Sequence, residues 1–227
     1  SPRGRELFLD LVRQADVLLE NFTPGTMEKL GLGYETLREN NPGLIYAAIS
    51  GFGQTGPYSR RPTLDIIVQS MGGMLSITGE KGGPPVRPGA SIGDIAASLY
   101  TVIGVLAALH EREKSGHGQL VDIGMLDCQL AIMENAFTRY FATGEVPGPL
   151  GTRHPVATPF EVFKTKDGYV AVAIMGGPVD QWPLFCAAIG RVDLIDDSRF
   201  LDGWARVQHY DVLKPIFLRA MKRQTTQ

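Results

Sequence analysis

The sequence has few of the features that mark several large classes of protein. Its 227 residues include only two cysteines, Cys128 and Cys186, and neither lies in a CxxC or Cys/His spacing. A disulfide framework is therefore excluded, and two buried thiols in a reducing compartment are predicted. The sequence also has no stretch of about 18 consecutive apolar residues, so no membrane span is predicted.

Clustered basic charge is also missing. There are 22 basic and 24 acidic residues, which gives a net charge of −2. Nucleic acids and anionic membranes attract a concentrated basic excess, so neither is expected as a partner. No signal peptide is recognisable at the start of the sequence. We expect a cytoplasmic protein, and a mitochondrial or peroxisomal location of a longer parent chain stays open.

The first 143 residues alternate between apolar strand-length runs and helical patterns. Strands are predicted at 16–20, 44–50 and 119–123, and their continuous apolar runs are typical of a parallel sheet that is covered on both faces. The helices predicted around them span residues 5–15, 26–30, 34–40, 64–77, 94–113 and 125–142. This alternation predicts an α/β fold.

The pattern changes in a segment dense in glycine and proline at residues 144–159. Residues 160–165 and 169–174 then flank Lys166-Asp167-Gly168, a typical hairpin signal. Helices are predicted near 179–189 and 204–221. We interpret residues 1–143 as a large α/β domain, 144–159 as a linker and 160–227 as a smaller α+β domain.

A glycine-rich loop follows the second predicted strand. Residues 51–56 match GxGxxG, but the dinucleotide fingerprint needs a long helix directly after the glycines. Pro57 and Pro62 oppose such a helix. The pattern therefore favours a ligand-binding loop at the carboxyl end of a strand over a dinucleotide site.

Two isolated carboxylates stand out on predicted helices. Ser91 and Asp94 have the spacing of a capping box, and an acid in a first helical turn is favoured by the helix dipole. Alternatively, Gly93 leaves space beside Asp94 for a substrate, and a carboxylate can act as a nucleophile. The pattern alone favours the structural role for Asp94, and it leaves Asp65 open between an N-cap and a site.

The histidines give no sign of a metal centre. His110, His117, His154 and His209 are scattered along the sequence, and none has the spacing of a zinc ligand set. No metal is therefore predicted.

Five short motifs occur in a characteristic order. They are Glu20-Asn21-Phe22-Thr23-Pro24-Gly25, Leu30-Gly31-Leu32-Gly33-Tyr34, Gly51-Phe52-Gly53-Gln54-Thr55-Gly56-Pro57-Tyr58, Gly93-Asp94 and Gly116-His117-Gly118-Gln119. In this order and spacing the chain resembles the class III CoA-transferases. That family includes formyl-CoA and carnitine CoA-transferases and the α-methylacyl-CoA racemases.

The resemblance implies a fold, a reaction and a set of site residues. The fold is a Rossmann-like parallel sheet in a large domain with a smaller α+β domain, assembled as an interlocked homodimer. Asp94 matches the aspartate that attacks an acyl-CoA thioester, and CoA passes from the donor acyl group to a small carboxylic acid through an aspartyl-acyl mixed anhydride. CoA is a substrate here, and no separate cofactor is implied. The residues that match CoA contacts are Asn21, Phe22, Thr23, Lys29, Leu64 and Asp65, while Gly53 and Gln54 lie in the active-site loop.

Three departures from the family narrow the hypothesis. Racemases have a histidine where this chain has Leu64, and leucine cannot carry a proton, which favours transfer over the alternative of an acyl-CoA racemase or isomerase. The segment 148–154 lacks the glycine run of formyl-CoA transferases, which disfavours a formyl or oxalate substrate. An N-terminal strand and C-terminal helices also have no counterpart, so a catalytically silent CoA-binding fragment is a third hypothesis.

The acid substrate is not defined by the sequence. Arg60, Arg61, Arg87 and Arg153 are candidates for binding a carboxylate, but they form no cluster in the sequence, and we interpret each as solvated surface charge.

Overall fold

The computed structural model describes residues 1–175 and 181–226, and these divide into two compact units. The first unit comprises Ser1–Thr78 and Pro85–Gly148, and the second comprises Gly79–Pro84 and the described residues from Pro149 onward. The chain therefore passes from the first unit to the second within the segment 144–159. The grouping of residues 79–84 with the second unit has no counterpart in the sequence analysis, because a loop of glycine and proline does not indicate which core it joins.

The first unit alternates strands with helices. Its strands are β1 (Val17–Glu20), β2 (Ile45–Ser50) and β3 (Leu120–Gly124). Its helices are α1 (Pro2–Val12), α2 (Thr26–Lys29), α3 (Tyr34–Asn40), α4 (Asp65–Met71), α5 (Met74–Ile77), α6 (Ile92–Ser115), α7 (Met125–Ala131) and α8 (Glu134–Thr143). The predicted α/β fold is confirmed.

The three strands form a parallel sheet in the order β1-β2-β3. Val17 of β1 pairs with Ile45 of β2, and Tyr46 of β2 pairs with Leu120 of β3. Five of the six residues of β2 are buried, which explains why this strand is a continuous apolar run. The carboxyl ends of the strands meet at one edge of the sheet, where α/β folds bind their ligands.

Helix α6 has 24 residues and is followed by two glycines with structural roles. Gly116 ends the helix in the left-handed region at φ 72°, which glycine adopts without a steric penalty. At Gly118, a Cβ would overlap the backbone carbonyl of Leu44. The Gly116-His117-Gly118 motif therefore first ends the helix and then lets the chain run closely beside the start of β2.

Helix α6 is also long and apolar enough to cross a membrane, by length and composition alone. It is not the unbroken apolar run that the sequence analysis looked for, because Asp94, Ser98 and Thr101 interrupt it. The helix packs against β2, β3, α4 and α7, and core helices of globular proteins pass the same test. On its other face, Leu99, Ile103 and Leu106 are exposed. One side of the helix is thus packed in this unit, while the other side is an uncovered apolar surface.

The second unit combines a hairpin with helices. Strands β4 (Phe160–Lys164) and β5 (Tyr169–Ala173) pair antiparallel, which confirms the hairpin predicted around Asp167-Gly168. The helices are α9 (Gln181–Ala188), α10 (Gly203–Gln208) and α11 (Tyr210–Met221), with a 3₁₀ turn at Val192–Leu194. Phe163, Trp182, Phe200 and Phe217 lie in its core. Residues 179 and 180 of the helix predicted near 179–189 lie outside the described residues.

Three helices that were predicted as continuous are each two helices. The segment 64–77 breaks between α4 and α5, where Gly73 has φ 85°. The segment 125–142 breaks between α7 and α8 at Ile132 and Met133. The segment 204–221 breaks at His209. Only the first break has a glycine to mark it, so the sequence pattern could not indicate the other two.

Candidate active site

A cavity of about 690 Å³ opens at the carboxyl edge of the parallel sheet, within the first unit. Its wall contains residues 21–24 after β1, residues 49–51 at the end of β2, and residues 61–66 around the start of α4. Arg87 and Asp94 line it from the side where α6 begins. Four stretches of the sequence therefore converge on one space at the edge of the sheet where α/β folds bind ligands.

Six of the residues predicted from the sequence line this cavity: Asn21, Phe22, Thr23, Leu64, Asp65 and Asp94. Phe22 is 51% exposed and Leu64 is 73% exposed. The cavity wall thus offers accessible apolar surface close to two carboxylates. Such a combination can hold an apolar chain while polar groups fix its orientation.

Lys29, Gly53 and Gln54 are not among the described residues that line the cavity. Lys29, at the end of α2, lines a separate recess beside α1. The loop at Gly53 and Gln54 is held by Asp122 of β3, whose two carboxylate oxygens each lie 3.0 Å from the backbone nitrogen of Gln54. This part of the glycine-rich motif is attached to the sheet, and no helix follows it before α4.

Asp94 lies in the first turn of α6, with an exposed side chain in the cavity wall. Partial burial of the carboxylate raises the pKa of Asp94, and the negative charge of Asp65 raises it further. The positive charge of Arg87 opposes this rise. No described residue donates a hydrogen bond to the Asp94 carboxylate. A carboxylate is suited to nucleophilic attack when its pKa is raised and its oxygen lone pairs accept no hydrogen bond.

Asp65 has the opposite environment, although it lines the same cavity. One of its oxygens accepts a hydrogen bond from the backbone N–H of Gly93 at 2.9 Å. The other accepts from Gln69 at 2.7 Å and from Arg87 at 3.1 Å. Burial alone would raise the pKa of Asp65, but these donors outweigh it and hold the pKa below its usual range. Asp65 is therefore a fixed anion at this site.

Two expectations about the start of α6 were wrong. Ser91 is the N-cap residue but makes no side-chain capping bond, because its hydroxyl accepts from Arg87 instead. Asp65 supplies the acceptor for the first turn from another helix. Gly93 does not open space for a substrate, since it is buried and a Cβ there would lie 3.1 Å from the Asp65 carboxylate. Its missing side chain allows Asp65 to approach the helix.

The segment after β1 is positioned by Glu20, which sequence analysis did not single out. The buried Glu20 carboxylate accepts from the backbone N–H of Phe22 at 2.7 Å and from the Tyr46 hydroxyl at 3.3 Å. Burial raises the pKa of Glu20 despite these two donors. The acid thus acts as an internal anchor for residues that line the cavity. Its place in a motif with Asn21 was visible in the sequence, but its partner on β2 was not.

Three further cavity residues were missed. Arg61 and Arg87, interpreted from the sequence as surface charge, both line the cavity. Ser50, at the end of β2, also lines it, and its buried hydroxyl has no partner among the described residues. A position at the carboxyl end of the central strand was the one signal that could have indicated Ser50.

The described residues contain no group of three or more metal-ligating side chains. Both cysteines are buried, as predicted, and neither lines the cavity. The charged groups that line the cavity are Arg61, Asp65, Arg87 and Asp94.

The fold and the site define an α/β protein with a cavity at the carboxyl edge of a parallel sheet and two carboxylates, Asp65 and Asp94, in its wall. The sequence model of CoA-transferase family III matches residues 1–227. The chain belongs to this family, which confirms the resemblance identified in the sequence.

Named relatives agree with this assignment. The chain is 41% identical over 221 residues to the acetyl-CoA:oxalate CoA-transferase of Acetobacter aceti, covering 97% of the chain and 56% of the relative. It is 42% identical over 214 residues to the succinyl-CoA:mesaconate CoA-transferase of Haloarcula hispanica, covering 92% of the chain and 53% of the relative. A CAIB/BAIF family protein from Brucella suis matches with a TM-score of 0.83 and 36% identity, over 99% of this chain and 59% of that structure. The chain spans about half the length of the curated relatives it matches.

Proposed function

We propose that the protein containing this chain is a CoA-transferase that uses Asp94 as its nucleophile. An oxygen of Asp94 attacks the thioester carbonyl of an acyl-CoA. The C–S bond breaks, CoA leaves as its thiolate, and the acyl group remains on Asp94 as a mixed anhydride. The carboxylate of a second acid then attacks the aspartyl carbonyl of this anhydride, the first acyl group leaves as its free carboxylate, and a new mixed anhydride forms. The thiolate attacks the acyl carbonyl of the new anhydride and forms the product thioester. Asp94 is released as a carboxylate.

The observation that carries this proposal is the contrast between the two carboxylates in the cavity. Asp65 has a lowered pKa and accepts from several donors, whereas Asp94 has a raised pKa and accepts from no described residue. Carboxylates whose environments differ in this way take different roles in catalysis. Asp65 supports the architecture of the site, and Asp94 is left to react.

The acid substrate that we propose is a dicarboxylate. Two similar proteins are named for oxalate and for mesaconate, and both acids carry two carboxylates. Arg61 and Arg87 place positive charge in the cavity wall, which suits an acid that keeps one carboxylate ionised while the other reacts. A screen of small monocarboxylates and dicarboxylates as acceptors from succinyl-CoA and acetyl-CoA tests this choice.

Trapping of the covalent intermediate tests the nucleophile. The intact protein is incubated with acyl-CoA, treated with hydroxylamine and digested, and a hydroxamate is expected at Asp94 by mass spectrometry. Asp94→Ala should release no CoA, while Asp10→Ala, a change of an exposed aspartate on α1, should behave as wild type. Full transfer activity in Asp94→Ala would refute the proposal.

Proton transfer is the competing reaction. Leu64 stands in the cavity wall where a racemase would need a base, and its side chain cannot exchange a proton. The intact protein should therefore incorporate no deuterium at the α-carbon of an acyl-CoA in heavy water without an acceptor acid. Incorporation at a rate similar to transfer would favour a racemase or isomerase.

We also propose that the protein assembles as an interlocked homodimer in the cytoplasm. The family resemblance supports the dimer, and sedimentation of the intact protein tests it. If the intact protein binds CoA but neither releases CoA from a thioester nor exchanges protons, a silent CoA-binding module would be the better description.

A further inference from the structure

The cavity contains an ion pair that connects three segments of the first unit. The Arg87 guanidinium donates to the Asp65 carboxylate at 3.1 Å and to the Ser91 hydroxyl at 3.1 Å, both from the same terminal nitrogen. Asp65 begins α4, Ser91 lies at the N-cap position of α6, and Arg87 comes from the loop between α5 and α6. One side chain therefore connects this loop to the starts of two helices.

In this ion pair the Asp65 side chain is shielded from water more than the Arg87 side chain is. The side chain of Asp65 is 11% exposed and that of Arg87 is 40% exposed. Breaking a hydrogen-bonded pair by removing one partner is costly when the remaining charge is shielded from water. Without Arg87, the Asp65 carboxylate would lose its cationic partner while remaining in the cavity wall.

Asp65, which Arg87 holds in place, also contacts the helix that carries Asp94. Its second oxygen accepts from the backbone N–H of Gly93, the residue directly before Asp94. The first N–H groups of a helix need acceptors, and here a side chain from another helix provides one. The position of the Asp94 backbone is therefore coupled to the position of the Asp65 carboxylate.

We propose that Arg87 is a positioning residue for Asp94, acting through Asp65 and Ser91. By holding the Asp65 carboxylate and the Ser91 hydroxyl, Arg87 fixes the first turn of α6 and orients the nucleophile toward the cavity. This inference rests on the proposed function, because it assumes that Asp94 is the reacting group.

Arg87 has a second effect, through its charge. The charged groups that face Asp94 from the cavity wall are Asp65, Arg61 and Arg87, and Asp65 and Arg87 shift its pKa in opposite directions. Removing Arg87 takes one of the two cations out of the wall while the negative charge of Asp65 stays, and a like charge disfavours ionisation of Asp94. The pKa of Asp94 should therefore rise further without Arg87 and fall when Asp65 is neutralised.

The test is the pH dependence of complete CoA transfer to a saturating acceptor acid, because without an acceptor the acyl group stays on Asp94 and the enzyme does not turn over. The kcat/KM values for succinyl-CoA and acetyl-CoA are measured for the intact wild-type protein, Arg87→Met, Arg87→Lys and Asp65→Asn. We call the fall of kcat/KM toward low pH its acidic limb. Because every variant receives the same acyl-CoA donors, a shift of this limb along the pH axis reports on the enzyme. The matched control is Arg38→Met, which removes an exposed arginine that pairs with Glu35 outside the cavity.

We expect Arg87→Met to lower kcat/KM at neutral pH by about 10²-fold, as a misplaced reacting group does, and to move the acidic limb to higher pH. Arg87→Lys keeps the charge but loses the planar fork, so its acidic limb should stay near that of the wild type while kcat/KM recovers only in part. Asp65→Asn should move the limb in the opposite direction, to lower pH.

Outcomes that overturn the inference are distinct from those that overturn the proposed function. If Asp94→Ala remains active, the nucleophile is wrong. If Asp94→Ala is inactive but Arg87→Met keeps the wild-type acidic limb, only the role of Arg87 is wrong. A merely structural role would lower the thermal stability of Arg87→Met without moving the limb. Should Arg87→Met fail to fold, Asp65→Asn with an unshifted limb would still overturn the inference.

Discussion

The carboxylate of Asp65 caps a helix that does not contain it, by accepting a hydrogen bond from the backbone N–H of Gly93 at 2.9 Å. The two residues are 28 positions apart, and they bring the starts of α4 and α6 together at the cavity. Asp94 follows Gly93 directly, so the geometry of the candidate nucleophile depends on this contact. Several expected outcomes follow from it and from the elements around it.

Gly93→Ala should lower the activity of the protein and leave its thermal stability almost unchanged. A Cβ at this position would lie 3.1 Å from the Asp65 carboxylate, so it would push the acceptor away from the helix start. We expect CoA release to fall by about tenfold or more, because small displacements of a reacting group are costly. Alanine is the better helix former by roughly 0.5–1 kcal/mol, so the melting temperature should change little. Gly89→Ala, where a Cβ has no neighbour within 4 Å, is the control, and equal activity of the two variants would contradict the prediction.

Gly118→Ala should destabilise the protein. An added Cβ would overlap the carbonyl of Leu44, and backbone atoms at this point cannot move without disturbing β2 and β3. Overpacking of this kind costs about 1–3 kcal/mol. Urea denaturation of the variant should show a lower midpoint with an unchanged slope. Gly89→Ala again serves as the control, and a midpoint equal to that of the control would show that the chain can relax there.

Asp122→Ala should loosen the glycine-rich loop without unfolding the sheet. The Asp122 carboxylate is the acceptor for the backbone N–H of Gln54, and its loss leaves that amide to water. Hydrogen exchange followed by mass spectrometry should show faster exchange in peptides that cover Gln54, with little change in β2. Asp122→Asn, which keeps one acceptor oxygen, should lie between the variant and the wild type. Unchanged exchange in Asp122→Ala would show that the loop is held by other contacts.

Glu161→Gln should change how stability depends on pH. Glu161 is buried in the second unit and accepts from the Tyr210 hydroxyl at 2.7 Å. Burial raises the pKa of Glu161 above its ordinary value of 4.5, although Tyr210, Lys214 and Arg153 oppose the rise. The folded protein therefore binds this proton more tightly than the unfolded chain does. The stabilising contribution is complete below pH 4.5 and is lost as pH rises through the raised pKa.

The difference between wild type and Glu161→Gln isolates this contribution, because other carboxylates titrate in the same range. Relative to the variant, the wild type should lose stability as pH rises from about 4.5 toward neutrality. Thermal denaturation across that range measures the difference, and the variant should gain on the wild type at the upper end. A difference independent of pH would show that Glu161 has the same pKa in both states.

Local patterns in the sequence were sufficient for most elements of the fold. The apolar run of β2 predicted a buried central strand, and the glycines around His117 predicted the end of α6. The break at His209 had no glycine or proline to mark it and was missed. Such a break depends on packing, and packing involves residues that are distant in the sequence.

The residues of the candidate site divide in the same way, into those that local motifs indicate and those that depend on contacts between distant residues. The motifs indicated Asp94 and the segment at Asn21, and both line the cavity. The ion pair of Asp65 with Arg87 spans 22 residues, and nothing in the local pattern of either residue indicates the other. Gly93 was interpreted as open space because a glycine shows only that a side chain is missing, and not which neighbour fills the space.

Within the described part of the chain no residue donates a hydrogen bond to the Asp94 carboxylate, and this affects the energy of the first bond-forming step. A carboxylate that is hydrogen-bonded to its own protein must lose those bonds before an oxygen can approach a carbonyl carbon, and that loss adds to the activation barrier. Asp94 has no such bond to lose among the described residues, and an entering thioester can displace solvent from its carboxylate as it binds. The carboxylate would then lose its solvent during substrate binding, and the attack itself would start from an oxygen whose lone pairs accept no hydrogen bond.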